Sequence, residues 1–256
     1  MKNMDDIIWI DTVDSTNLEA RRRLEHLDNL SVLTALSQTS GRGQRGNSWS
    51  SDKGKNLLFS IVLKFGRRYS RMIQAYDQFC ISELAALSVV EFLSGCGIAA
   101  KIKWPNDIYV GDRKIGGILI ENSLSGEWIS SSIIGIGLNI NQREFDKSLP
   151  NPTSLILETK ADTEYDIEKC IRTFNEIFHR YHERYLNISG GFPALRRLYL
   201  AQMWRIDEEH RFIDNTTGRT FIGRIIGLSD VGQLMVEIEK GELKEFAFKE
   251  ISYIIP

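Results

Sequence analysis

Cysteine is scarce in this sequence, and no segment resembles a targeting signal. Only three of the 256 residues are cysteines, and Cys80, Cys96 and Cys170 are widely spaced within apolar patterns typical of helices. An odd, dispersed set of this kind indicates free thiols in a reducing compartment. The N-terminus is polar, and we expect no apolar run to reach membrane-spanning length. The sequence therefore predicts a cytoplasmic protein.

An excess of charge of one sign is also lacking. The 32 Lys and Arg residues nearly balance the 34 Asp and Glu residues, which leaves a formal net charge of −2. Such a chain has no bulk attraction for nucleic acid or for anionic membranes, so we expect neither specific DNA binding nor membrane binding. The composition is that of an ordinary globular protein, and the length allows one large domain, alone or with a small one.

No P-loop pattern for phosphate binding occurs in the sequence. A G-x-G-x-x-G pattern does occur at Gly41, Gly43 and Gly46, but in a dinucleotide-binding fold this pattern must close a strand and open a helix. Here a polar, turn-rich segment follows, and the next regular segment, 57–63, predicts a strand. The glycine loop therefore joins two strands, which argues against a dinucleotide site.

This glycine loop, residues 39–49, contains three glycines, two arginines and a tryptophan. Glycine lets the backbone approach a ligand closely, and backbone N–H groups beside the guanidinium groups of Arg42 and Arg45 suit a carboxylate or a phosphate. A plain surface turn is the alternative. The interleaved arginines and the closing Trp49 favour an anion site.

A second candidate region spans residues 101–121. Pro105 interrupts a short strand, so the residues after it, including Asp107, can point into a cleft. A Gly-Asp pair then predicts a hairpin turn, and Lys114 follows this turn just ahead of two glycines. The alternative is an ordinary hairpin with Asp107 and Lys114 facing solvent.

A third candidate lies near the N-terminus, where Ser15 and Thr16 follow a predicted strand. Thr16 and Glu19 have capping-box spacing, so helix capping is the favoured interpretation from the sequence alone.

Two further patterns have structural alternatives. Asn139 and Asn141 lie on one side of a strand end, where they can bind a ligand or close a turn. His179 and His182 have a spacing that could chelate a metal, but no third ligand is near and their surroundings predict a solvated helix face. We therefore predict no metal site.

The residue pattern of the sequence changes at about Arg205. Beyond it, short β-rich segments alternate with turn residues at the spacing of a small all-β barrel. We therefore predict two domains, residues 1–205 and residues 206–256.

Five motifs follow one another along the chain: Asp14-Ser15-Thr16-Asn17, Gln38 with the loop from Gly41 to Trp49, Lys103-Trp104-Pro105-Asn106-Asp107, Lys114-Ile115-Gly116-Gly117-Ile118-Leu119, and Gly135-Ile136-Gly137-Leu138-Asn139. In this order they make the chain resemble the biotin protein ligases over nearly its full length. The resemblance implies an α+β fold: a catalytic domain with a mixed β-sheet flanked by helices, as in class II aminoacyl-tRNA synthetases and biotin ligases, followed by a small SH3-like β-barrel.

The resemblance also implies an ATP-dependent ligase that forms an amide bond in two steps. Biotin's carboxylate attacks the α-phosphate of Mg²⁺-bound ATP, which gives biotinyl-5′-AMP and pyrophosphate. A lysine of a biotin carboxyl carrier protein or domain then attacks the adenylate and releases AMP. Because the first step brings two anions together, it needs fixed positive charge, which Arg42, Arg45 and Lys114 can supply.

Individual residues are assigned by the same resemblance. Lys114, Arg42 and Asp107 are the expected catalytic residues, with Asp107 near the reacting amine as a hydrogen-bond or proton acceptor. The expected site for biotin and the adenylate consists of Ser15, Thr16, Asn17, Gln38, Arg42, Gly43, Gln44, Arg45, Trp49, Lys114, Gly116, Gly117 and Asn139.

The chain departs from the family pattern in two respects. Gln44 and Asn47 stand where many members have a basic residue, and because glutamine cannot neutralise an anion, we expect a weaker hold on the adenylate. The first catalytic strand begins at Ile7, which leaves no room for the DNA-binding winged helix of some members, so we expect no repressor role.

Two other functions stay open at this stage. Lipoate–protein ligases and octanoyltransferases share the implied fold, although the Arg-rich glycine loop and the Trp-Pro-Asn-Asp motif favour the biotin branch. A non-catalytic module that senses biotin is the second alternative. The joint presence of Arg42, Asp107 and Lys114 argues against that module.

Overall fold

The computed structural model describes residues 7–66, 68–69 and 71–255, apart from the side chains of Arg45 and Lys240. The larger of two sheets contains β1 (Ile7–Val13), β2 (Ser31–Gln38), β3 (Leu57–Lys64), β4 (Lys101–Lys103), β5 (Asp107–Val110), β6 (Arg113–Ser125) and β7 (Trp128–Leu138). The smaller contains β8 (Glu209–Asp214), β9 (Arg219–Leu228), β10 (Leu234–Glu237), β11 (Leu243–Phe246) and β12 (Ile251–Tyr253). The α-helices are α1 (Thr16–Arg22), α2 (Phe79–Gly95), α3 (Leu155–Thr159), α4 (Ile167–Tyr181) and α5 (Gly191–Ala201).

The larger sheet is mixed and has the strand order β1-β2-β3-β7-β6-β5-β4. Only β1 and β2 run parallel among its described neighbours, and the other pairs are antiparallel. Strand β3 is buried on both faces: Phe59 lies in the main core and packs on Phe174 of α4, whereas Val62 lies in a smaller core with Ala20 of α1. A strand covered on both faces needs a nearly continuous apolar run. This is why the strand over residues 57–63 could be predicted from the sequence.

Helix α2 is the central helix of the core. The apolar pattern of residues 72–96 predicts one long helix or two joined ones, whereas α2 begins at Phe79 after a 3₁₀ turn at Ala75–Asp77. The segment Ala75–Gly95 is long and apolar enough to cross a membrane, so the expectation that no segment reaches that length is wrong. However, 72% of its most apolar window is buried inside the protein, as in a helix that is apolar on all sides and packed in a core.

One charged residue lies inside this core. Glu83 of α2 is 1% exposed and accepts a hydrogen bond from Nε of Arg196 in α5. Burial raises the pKa of Glu83 to about 7, and Arg196 offsets this effect only in part. Arg196 also donates from Nη1 to the carbonyl oxygen of Ser229 at 2.7 Å, so the pair ties the helices to the smaller sheet.

Helix α4 continues into a single π-helical turn, His182–Leu186. The predicted solvated face is wrong for His182, whose side chain is 1% exposed and whose pKa is lowered by burial. Within the described residues, no group of three or more His, Cys, Asp or Glu side chains could hold a metal ion.

The smaller sheet confirms that short strands follow residue 205, and five of them lie among the described residues. Its order is β11-β10-β9-β8-β12, and its neighbouring strands are antiparallel. As far as the described residues show, the sheet is open, so its closure into an SH3-like barrel stays a prediction, as does the domain boundary. Trp104 joins the two sheets by donating from Nε1 to the carbonyl oxygen of Gly232 at 2.9 Å.

Candidate active site

A cleft of about 370 Å³ opens between the larger sheet, the start of α1, the glycine loop and strand β12. Gly116 and Asn139 do not contribute to its described lining, and the side chain of Arg45 is outside the described structure. The other residues proposed from the sequence all line this cleft: Ser15, Thr16, Asn17, Gln38, Arg42, Gly43, Gln44, Trp49, Asp107, Lys114 and Gly117.

Uncharged polar side chains form one part of the cleft wall and the layer beneath it. We call them the neutral cluster: Ser15, Thr16, Asn17 and Gln38, which line the cleft, and Ser60, which lies beneath them. The first three start α1 directly after β1, and none of them is more than 4% exposed. Gln38 ends β2 and accepts a hydrogen bond from the backbone N–H of Thr16 at 2.7 Å. Ser60 of β3 lies beneath the helix start, with Oγ 2.8 Å from Thr16 Oγ1 and 2.7 Å from Asn17 Oδ1.

The capping-box interpretation of this segment is wrong. Ser15 occupies the N-cap position of α1, but no side chain caps this helix. The Thr16 hydroxyl instead contacts Ser60, because β3 places a serine directly beneath the first turn. Glu19 pairs with Arg22 one turn further along the helix. The polar start of α1 is therefore directed at the cleft.

Trp49 covers β6 and β7 where these strands carry glycines. A Cβ atom added to Gly137 would lie 2.4 Å from Cε2 of the Trp49 ring, and one added to Gly117 would lie 3.2 Å from Cζ3. Gly135 makes room for Asn17 in the same way, since an added Cβ would lie 2.3 Å from Asn17 Oδ1. The indole Nε1 of Trp49 is buried and has no hydrogen-bond partner among the described residues.

Charged side chains form the other part of the cleft, which we call the charged cluster: Arg42, Lys103, Asp107 and Lys114. Lys114 Nζ lies 2.6 Å from Asp107 Oδ1, and Lys103 Nζ lies 3.9 Å from Asp107 Oδ2. Strand register explains both contacts, because Lys103 of β4 and Gly117 of β6 are the partners of Asp107 on its two sides. Gly117 has no side chain, and the Lys114 ammonium occupies the space beside it.

Lys103 is the most buried cation of the charged cluster, with a side chain that is 17% exposed. Its ammonium nitrogen lies 4.9 Å from the centre of the Tyr109 ring and 5.0 Å from that of Tyr253, distances at which aromatic faces attract a cation. Burial lowers the pKa of Lys103, although Asp107 opposes this shift. Tyr253 belongs to β12, so the smaller sheet supplies one wall of the cleft.

Glu121 of β6 connects the two clusters. Its Oε2 accepts a hydrogen bond from Asn17 Nδ2 at 2.9 Å. Its Oε1 lies 3.3 Å from Nη1 of Arg42 and 3.3 Å from Nη2 of Arg21. This carboxylate therefore holds the glycine-loop arginine beside the neutral cluster.

Asn139 and Asn141 support the loops around the cleft. Asn139 donates from Nδ2 to the carbonyl oxygen of Thr153 at 2.9 Å, and Asn141 donates to that of Tyr165 at 2.8 Å. The backbone N–H of Thr153 in turn donates to the carbonyl oxygen of Lys114 at 2.9 Å. Asn139 thus steadies the segment that pairs with Lys114, and its proposed contact with the nucleotide stays a prediction.

Four residues at this site were missed by the sequence analysis: Ser60, Lys103, Glu121 and Tyr253. Ser60 interrupts the apolar run of β3, and this lone polar residue is the signal that could have revealed it. Lys103 opens a motif that was noticed for its other residues. Nothing local distinguishes Glu121 or Tyr253 from other strand residues. Glu121 contacts the cleft residues Asn17 and Arg42, and Tyr253 lines the cleft, only because distant segments meet in the fold.

Several known proteins are similar to this chain. Residues 9–139 match the model of the biotin/lipoate A/B protein ligase family. The biotin--[acetyl-CoA-carboxylase] ligase of Paracoccus denitrificans is 30% identical over 87% of this chain and 90% of its own length. The bifunctional ligase/repressor BirA of Bacillus subtilis is 29% identical over 94% of this chain and 72% of its own length.

A solved structure shares the architecture. The biotin protein ligase from Aquifex aeolicus, in complex with biotin and ATP, is 27% identical, with a TM-score of 0.76 over 96% of this chain and 97% of that one. The family match includes both clusters of the cleft, apart from the wall formed by β12. The chain belongs to the biotin/lipoate A/B protein ligase family, on its biotin protein ligase branch.

Proposed function

We propose that this protein activates biotin with ATP to biotinyl-5′-AMP and transfers the biotinyl group to a lysine of a carrier protein. One observation carries the proposal: a largely buried, uncharged cluster of hydrogen-bonding groups lies at the same cleft as three cations and a carboxylate. A substrate with a neutral polar head and a carboxylate tail fits such a site, because its two ends need different partners.

Activation of the carboxylate depends on the charged cluster. A carboxylate oxygen forms a bond to the α-phosphorus of ATP while the bond to pyrophosphate breaks, and negative charge accumulates where two anions meet. Arg42 and Lys114 offset this repulsion, with Lys114 exchanging its contact with Asp107 for one with an anionic oxygen. Arg45 is a third candidate cation from the glycine loop. Trp49 offers its unpaired indole N–H as a further donor.

Transfer depends on Asp107. The amine of the acceptor lysine forms a bond to the acyl carbon of the adenylate, AMP leaves, and the amine loses a proton. Asp107 is positioned between two lysines, so its carboxylate is ready to accept a hydrogen bond from the incoming neutral amine once Lys114 contacts phosphate. In this role Asp107 orients the amine and accepts its proton.

ATP enters as its Mg²⁺ complex, and the phosphates carry the metal into the site. Among the described side chains, no cluster could hold a metal ion by itself. The two carboxylates in or beside the cleft, Asp107 and Glu121, are already paired with cations.

The acceptor is a biotin carboxyl carrier protein or domain of a biotin-dependent carboxylase. The free cysteines Cys80, Cys96 and Cys170 fit a cytoplasmic location, where such thiols stay reduced. The Bacillus relatives are also repressors by name, but DNA binding is not part of the proposed function.

Mass spectrometry of an acceptor domain tests this proposal. The protein is incubated with ATP, Mg²⁺, biotin and a biotin carboxyl carrier domain, and the carrier is expected to gain one biotinyl group at its acceptor lysine. A carrier with that lysine replaced by arginine and a reaction without ATP are the controls. A carrier that stays unmodified while biotinyl-AMP accumulates would limit the proposal to the first step. Absence of both products would refute it.

A further inference from the structure

We propose that Ser60 and Glu121 are positioning residues that fix the direction of a hydrogen-bond chain, so that Thr16 presents an acceptor to the cleft and selects a ligand with an N–H group. The inference rests on the proposed function and specifies the chemistry of its substrate's head, a cyclic urea. Neither Ser60 nor Glu121 was among the residues predicted from the sequence to bind biotin.

The hydrogen-bond chain starts from the side-chain amide of Asn17, whose orientation is determined by its neighbours. The amide nitrogen Nδ2 lies 2.9 Å from Oε2 of Glu121 and 3.2 Å from the carbonyl oxygen of Leu119. Both neighbours can only accept, and the –NH₂ group has two protons to donate. A flipped amide would place its oxygen against two acceptors, so Asn17 must direct Oδ1 toward Ser60.

The orientation of Asn17 determines that of Ser60. Ser60 Oγ lies 2.7 Å from Asn17 Oδ1. Because this amide oxygen can only accept, Ser60 must donate its single hydroxyl proton to it. The other contact of Ser60, at 2.8 Å to Thr16 Oγ1, then requires Thr16 to be the donor. With its proton directed at Ser60, Thr16 has only lone pairs left for the cleft.

Gln38 provides the complementary group. Its Oε1 accepts the backbone N–H of Thr16 at 2.7 Å, which leaves the –NH₂ of Gln38 as a donor beside the cleft. The neutral cluster thus offers an acceptor on Thr16 and a donor on Gln38. A cyclic urea carries the matching pair, N–H and C=O, whereas the dithiolane of lipoate and a simple acyl chain carry no N–H.

The three side chains at the centre of this hydrogen-bond chain are buried, which makes its direction hard to reverse. Ser60 is 0% exposed, and Thr16 and Asn17 are 4% and 2% exposed. Reversing one bond would leave two acceptors or two donors facing each other, and a buried polar atom without a partner is strongly disfavoured. The direction is therefore a built-in property of the site, present before any ligand binds.

The test compares three ligands by titration calorimetry without ATP: biotin and two carbamate analogues, in each of which one of the two ureido N–H groups is replaced by oxygen. Wild type is expected to prefer biotin over at least one analogue by ~10–100-fold, the cost of an unmade buried hydrogen bond. Ser60→Ala and Thr16→Val are expected to reduce this preference to a few-fold. Glu121→Gln keeps an acceptor for Asn17 and is expected to retain the preference, whereas Glu121→Leu should reduce it.

Ser88→Ala is the matched control, because Ser88 is also a fully buried serine, bonded to Leu84 far along α2. Thermal unfolding verifies that each variant is folded. If Ser60→Ala does not fold, the comparison of biotin with its analogues is made with Thr16→Val. If Ser60→Ala lost affinity for biotin and for the analogues equally, the proposed hydrogen-bond chain would be overturned. It would also be overturned if Glu121→Gln were the only variant to lose the preference for biotin. Wild type that binds no biotin would overturn the proposed function as well.

Discussion

The neutral and charged clusters line the same cleft but are built differently. The residues of the neutral cluster at the start of α1 are almost fully buried and bonded to one another. In the charged cluster, the side chains of Arg42 and Lys114 are 44% and 33% exposed, and they pair with carboxylates that a substrate must displace. Buried neutral groups cannot reorganise cheaply, whereas exposed ion pairs contribute little and exchange easily. We therefore propose that the neutral cluster recognises the substrate and that the charged cluster acts during the reaction.

Removing the Lys114 ammonium should separate these two roles most clearly. Lys114→Ala is expected to slow pyrophosphate release by ~10²–10³-fold, because one charged stabiliser of the reaction is lost. Biotin affinity in the absence of ATP should change little, since the neutral cluster is intact. Lys53→Ala is the matched control, as Lys53 also pairs with an aspartate but on the exposed surface. A normal rate of pyrophosphate release would remove Lys114 from the site.

Gly137→Ala should disturb the cleft, because Trp49 packs on this glycine and its ring centre lies 5.8 Å from Lys114 Nζ. The added Cβ would lie 2.4 Å from the Trp49 ring, and overpacking of this kind typically costs about 1–3 kcal/mol. We expect a lower unfolding midpoint in urea together with weaker biotin binding. Gly95→Ala is the control, since no atom lies within 4 Å of its added Cβ. Equal stability of the two variants would show that Trp49 can move away at no cost.

Hydrogen exchange should distinguish the clusters by their mobility. The glycine loop has few apolar anchors, so residues 39–49 are expected to exchange quickly without ligand and more slowly with biotin and ATP, which offer anions to Arg42 and Arg45. The start of α1 should be protected in both states. Unchanged protection across 39–49 would contradict ordering of the loop by substrate.

Gln44→Arg should have the smallest effect and should concern the charged cluster alone. A charge-assisted hydrogen bond is roughly twice as strong as a neutral one, so arginine at this cleft position is expected to slow the release of biotinyl-AMP several-fold. Transfer to a carrier should change less. The measurement is adenylate dissociation in a single turnover without acceptor. Equal or faster release from the variant would favour Arg45 as the anion contact.

The difference between the clusters also explains what could be predicted from the sequence. Charged and glycine-rich motifs are local, so Arg42, Asp107, Lys114 and the glycines could be found from short stretches. The fold could be predicted where burial imposes a pattern, as in β3. The role of Ser60 could not, because it depends on which helix lies above that strand.

Long-range placement accounts for the other errors. The start of α1 has the spacing of a capping box, and only the position of β3 beneath it shows that Thr16 bonds elsewhere. Tyr253 reaches the cleft because the smaller sheet packs against Trp104 and Lys103, a contact between segments about 150 residues apart in the sequence. No local pattern encodes such a contact.

One measurement tests the division of roles most directly: pyrophosphate release by the wild-type protein with biotin or with lipoate as the only carboxylic acid. Both acids present a carboxylate to the charged cluster, but only biotin has the N–H and C=O groups that match the neutral cluster. The account predicts ATP-dependent release with biotin and a rate with lipoate close to that without any acid. Comparable rates with the two acids would contradict it, because the neutral cluster would then not select the substrate.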